Sequence, residues 1–114
     1  MKITNGQIVV ILESINKIKK SDRVLPIRLS YVINKNMQIL MDYYKPYTES
    51  LKEYGFDSLS KDELAELPSD KLIELNSLYT YENDINMHKV KLEDILDADL
   101  TINEMEIIQT FMMD

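Results

Sequence analysis

The sequence predicts a mainly α fold: one long, kinked helix, shorter helices packed along it, and a short two-stranded antiparallel ribbon, all in one domain over residues 1–114. Three observations predict it. From Pro26 to Gly55, apolar residues keep helical spacing throughout, at Leu29, Ile33, Met37, Leu40, Tyr44, Tyr47, Leu51 and Tyr54. Only two Gly and three Pro occur in 114 residues, which leaves little material for turn-dense β structure. Thr4 with Gln7, Ser60 with Glu63 and Thr101 with Glu104 each have the spacing of a capping box, in which two side chains satisfy free N–H groups at a helix start.

Taken in order, Met1 to Ile3 suits an edge strand. A helix opened by Thr4 then carries Ile8, Ile11, Ile15 and Ile18 on one face, and ends in Lys17, Lys19 and Lys20, where cations favour the helix dipole. Ser21 to Leu25 is a link, with Leu25 biased to extended geometry by Pro26. Pro26 suits the start of the long helix and Gly55 a left-handed stop. Pro46 removes a backbone bond to Asp42 and predicts a kink there, with a break into two helices as the alternative.

Beyond it, Ser60 opens a short helix that ends before Pro68, and Ser69 caps another with Leu72, Ile73, Leu75 and Leu78. Tyr79 to Asp84 reads as loop. The partial alternation around Met87, Val90 and Leu92 predicts a strand over 87–92, paired with Met1–Ile3. Thr101 opens a terminal helix of about three turns, with Ile102, Met105, Ile108 and Met112 on its inner face.

The composition bounds the function classes. Zero Cys excludes disulfides, thiolate metal sites and cysteine nucleophiles. The five-residue apolar run Ile8–Leu12 is too short for a signal peptide or a membrane span, so the expected location is the cytoplasm. Glycines at 6 and 55 alone exclude a phosphate-cradling loop or a dinucleotide fingerprint. The single His88 offers no imidazole pair. Asp97-Ala-Asp99-Leu-Thr101-Ile-Asn103 resembles the opening of a calcium loop, but its sixth and twelfth positions are Ile102 and Ile108 where Gly and Glu belong. No cofactor, metal or catalytic residue is expected, and the chain reads as non-enzymatic.

The net charge of −7 is unevenly distributed. Residues 1–54 carry nine Lys or Arg against five acids, and residues 55–114 carry four Lys against fifteen acids. Lys17, Lys19, Lys20, Arg23 and Arg28 lack interleaved aromatics in a chain of pI about 4.7, so direct nucleic-acid binding is not expected. Two surfaces can serve a protein partner. One is acidic: Asp97, Asp99, Glu104 and Glu106, carboxylates able to face a basic protein. The other is rich in Tyr and Met: Tyr43, Met41, Tyr79, Tyr81 and Met113 lie off the core stripes, and both residue types supply contact area with few polar demands. A homodimer seam along the long helix is a further possibility.

The order of parts also resembles a family of small uncharacterised proteins from phages and prophages of Gram-positive bacteria. The resemblance rests on Met1-Lys-Ile-Thr-Asn-Gly6, the Leu25-Pro-Ile-Arg28 link, the long Tyr- and Lys-containing helix, Val90-Lys-Leu-Glu-Asp-Ile95 and Asp99-Leu-Thr101. The family brings no established activity and no site residues. What the resemblance implies is context: a phage accessory protein acting inside the bacterial cell, or a minor component of virion assembly. Combined with the two candidate surfaces, the expected function is to bind and modulate or inhibit a host bacterial protein, for instance a defence or nucleic-acid-handling factor. The alternative is a minor virion or tail-assembly component.

Overall fold

The computed structural model describes residues 1–113. Strand β1 (Lys2–Thr4) runs directly into α1 (Asn5–Lys20), and the Thr4 box forms as expected: Thr4 Oγ1 accepts from the Gln7 N–H at 3.1 Å, and Gln7 Oε1 accepts from the Thr4 N–H at 2.9 Å. Helix α2 (Ile27–Glu53) follows the link. Its 27 residues make a rod of about 40 Å, most of the molecule's longest dimension of 49 Å. The helix is continuous through Pro46, so the alternative of two separate helices does not occur. Gly55 ends it at φ 75°, where an L side chain would be strained, and its N–H donates to Lys52 O at 3.1 Å.

A 3₁₀ turn (Phe56–Ser58) leads to α3 (Lys61–Ala65) and α4 (Ser69–Tyr79). Strand β2 (Glu82–Asp84), the short α5 (Leu92–Ile95) and α6 (Ile102–Met112) complete the chain. The boxes at Ser60 and Thr101 both form, while α4 begins at Ser69 with Pro68 in the cap position. The ribbon is antiparallel, with Ile3 opposite Asn83 and Lys2 opposite Asp84.

Two expectations are corrected in this region. The strand partner of the N-terminus is 82–84, read from sequence as loop, and not 87–92. Glu-Asn-Asp is poor strand material, and its pairing is imposed by β1 rather than by its own propensity. Residues 85–91 form no regular element and have no partner strand. Ile85, Met87 and Val90 are buried, which produces the alternation, while the backbone bonds elsewhere. Ile85 N–H donates to Met1 O at 2.9 Å, Val90 N–H to Met112 O at 2.8 Å, and the His88 backbone is held by a side chain of α2.

That side chain is Asn36, fully buried on α2. Its Nδ2 donates to His88 O at 3.0 Å, and its Oδ1 accepts from the His88 N–H at 2.7 Å. One amide thereby replaces the neighbouring strand that 85–91 lacks. On α2 the inward row is Leu29, Ile33, Asn36 and Leu40, with Met37 only half-buried. Tyr54, expected on the stripe, is 67% exposed. On α6, Ile102 is 80% exposed and the inner row is Glu104, Ile108 and Met112. The core lies among α1, α2 and α6, closed by Ile3, Ile85, Val90 and Ile95.

Candidate partner-binding site

Helix α4 differs from every longer helix of this fold in having no buried residue. It is tied down at its C-terminal end. Asn5, buried at the start of α1, donates through Nδ2 to Leu78 O at 2.8 Å, a carbonyl of the last helical turn that the Tyr81 N–H also reaches at 3.3 Å. Asn5 Oδ1 accepts from Asn83 Nδ2 at 2.9 Å, and Asn83 also reaches Ile3 O at 3.1 Å. The Tyr79 ring lies so close on Gly6 that a Cβ there would overlap it and push the ring aside.

The body of α4 stands apart from α2 and presents apolar side chains to two hollows. On one side, Leu72, Leu75 and Tyr79 face Tyr47, Leu51 and Phe56 across a hollow of about 420 Å³. On the other, Ile73, Leu78 and Tyr81 face Tyr54 and Phe56 across one of about 450 Å³. Volumes of this size suit a few apolar side chains of a partner. Leu72 is 40% exposed and Ile73 69%. Tyr54 stacks on Phe56 with ring centroids 6.2 Å apart, which continues the aromatic wall to the surface. Burial, with Tyr79 and Tyr44 close by, pushes the Tyr47 phenol up, so it stays neutral and acts as an apolar wall.

Of the predicted residues, Tyr43 and Tyr81 are brought together beside Tyr47 in a small adjoining hollow of about 210 Å³. Tyr43 Oη donates to Asp84 O at 3.4 Å. Tyr79 borders the larger hollow with one edge and covers Gly6 with its face. The acidic set lies elsewhere, by the link that precedes α2. Pro26 and Tyr47 are 21 positions apart on one rod, or about 30 Å.

Asp97, Asp99 and Glu106 are exposed there. Glu104 is not available to a partner, which corrects the expectation for it. Its side chain is 7% exposed, and both carboxylate oxygens accept from the Arg23 guanidinium, one at 2.8 Å. Glu104 Oε1 also accepts from the Thr101 N–H at 2.9 Å. Chiefly through the Arg23 bond, its carboxyl is held down at about 2. The acids are thus split between one structural residue and three surface ones.

Sequence reading missed Leu51, Tyr54, Phe56, Leu64, Leu72 and Ile73 as residues that line these hollows. A signal was present: on α4, Leu72, Ile73, Leu75 and Leu78 spread over more than one helical face, more than a single core contact can cover. Among the described residues, no group of three or more His, Asp or Glu is placed to hold a metal ion, and no helix is long and apolar enough to cross a membrane. Comparison of the chain with known protein families, curated proteins and solved structures finds no match.

Proposed function

We propose that this chain is a non-enzymatic protein-binding module whose partner docks on the two-sided apolar face of α4 and the C-terminal half of α2. The observation that carries this reading is that α4 leaves Leu72 and Ile73 exposed and Leu75 and Leu78 only half-buried. A helix with such a face gains stability by covering it, at about 25 cal/mol per Å² of apolar surface removed from water. The surrounding stretch is strongly acidic: residues 42–84 carry four lysines against eleven acids, which equals the net charge of the whole chain. The matching partner surface has an apolar centre and a basic rim, so its association slows as salt rises. In the phage setting that the resemblance implies, the partner is a host protein whose activity the module modulates or inhibits inside the bacterial cytoplasm.

Ile73→Glu combined with Tyr54→Ser tests the reading. Both residues are exposed, so thermal stability should change by no more than about 0.5 kcal/mol. Capture of the host protein by the tagged chain should fall at least about tenfold, because both changes strike the centre of the face. A folded double variant that captures the host protein as well as the unchanged chain overturns the proposal. Recovery of the chain in phage particles, with no host protein bound, points instead to assembly.

A further inference from the structure

At the start of α2, far from α4, lies a second concavity of about 380 Å³ with the opposite charge. Ile27, Tyr31 and Val32 form its apolar floor, and Arg28, Lys89 and Lys91 stand on its walls. Ile27 is 85% exposed and Tyr31 60%. Lys35, one turn further along α2, sits over the Tyr31 ring with its Nζ 5.5 Å from the centroid, adding a fourth cation beside the hollow. None of these four cations has an ion-pair partner among the described residues. One acid, Asp94, lines the hollow, and its carboxylate already accepts from the Lys91 N–H at 3.1 Å.

The placement is selective. Lys89 and Lys91 are the only Lys or Arg between residues 72 and 114, a stretch rich in Asp and Glu. Both line one hollow with Arg28, in which Asp94 is the single carboxylate. Like charges that outnumber the one acid on their face set up a local positive potential on an otherwise acidic molecule. An apolar floor between those charges has room for a large side chain. We propose that this concavity is a second docking site, for a short acidic peptide segment that inserts an apolar anchor between Arg28 and the two lysines. The site is independent of the α4 face and stands whether or not that face binds a partner.

Charge complementarity selects the cation-seeking occupant, and the walls select a peptide over a nucleic acid. Asp94 lines the hollow and Glu93, Asp97 and Asp99 follow close by in the chain, so a continuous phosphate backbone leaving the hollow meets acids. Only one aromatic ring, Tyr31, offers a stacking surface, whereas single-strand binding relies on successive rings. A peptide places its carboxylates where the cations are and nowhere else.

The test is a fluorescence anisotropy titration of the full chain with a labelled peptide in which Asp and Glu flank a Leu-Phe pair. Saturable binding that weakens with added salt is expected. Lys89→Glu with Lys91→Glu, both at exposed positions, should weaken it at least about tenfold, and Tyr31→Ser should weaken it as well, while Lys61→Glu on α3 leaves it unchanged. Replacing Leu-Phe by Ser-Ser in the peptide should abolish binding. The proposal is overturned by absence of saturable binding, by equal binding to the doubly reversed variant, or by an oligo-dT strand that binds more tightly than the peptide.

Discussion

Glu104→Ala is expected to destabilise the fold by about 3 kcal/mol, because it strands a guanidinium in a site built for a carboxylate. Arg23 is only 20% exposed and reaches Glu104 from the link between α1 and α2, 81 positions away in the chain. The same carboxylate closes the capping box of α6 at Thr101. One residue therefore joins the α1–α2 link to the start of α6. Its charge also sets a pH dependence. The carboxyl lies at about 2 when folded against an ordinary 4.5, so its contribution is complete above about pH 4.5 and is lost as pH falls toward 2. Urea melts of the unchanged chain and of Glu104→Gln between pH 7 and pH 2 check this. The difference between the two should shrink steadily below pH 4.5, and a constant difference contradicts the assignment.

Asn36→Leu is expected to cost about 2–4 kcal/mol, although Leu fits the apolar row on which residue 36 lies. The change leaves both the N–H and the C=O of His88 without partners in a part-buried position. It also frees 85–91 from α2, the stretch that carries buried Ile85, Met87 and Val90. His88→Ala, by contrast, should shift stability by no more than about 0.5 kcal/mol, since only the backbone of His88 is used and its side chain is exposed. The pair of variants separates the backbone clip from any role of the imidazole. Chemical denaturation of both is sufficient. If Asn36→Leu were neutral, the clip would not hold the segment.

These two residues also show where sequence reading stopped. The three capping boxes, the inner face of α1 and the extent of α2 were legible because each depends on residues within a few positions of one another. Asn36, Asn5 and Glu104 were not, because a buried polar side chain is recognised only by its partner, and theirs lie 52, 73 and 81 positions away. Pattern reading places such residues on the surface, which is how Glu104 came to be grouped with Asp97, Asp99 and Glu106. The exchange of 87–92 for 82–84 as the strand has a related cause. Alternating burial makes a strand-like pattern, but only a neighbouring backbone makes a strand, and β1 selects the polar segment. For the candidate site, Tyr43, Tyr79 and Tyr81 were legible as residues without a place on a core stripe. The hollows beside them were not, since they arise from α4 being held at its C-terminal end while its body stands off α2.

The most direct test of the proposed function is hydrogen–deuterium exchange of the chain, alone and bound to the partner that it captures. The partner-docking account predicts new protection in residues 47–56 and 64–81, the two walls of the α4 hollows, and no change over 97–106. Protection confined to 97–106, around Asp97, Asp99 and Glu106, would contradict it and move the partner to the acidic surface beside α6.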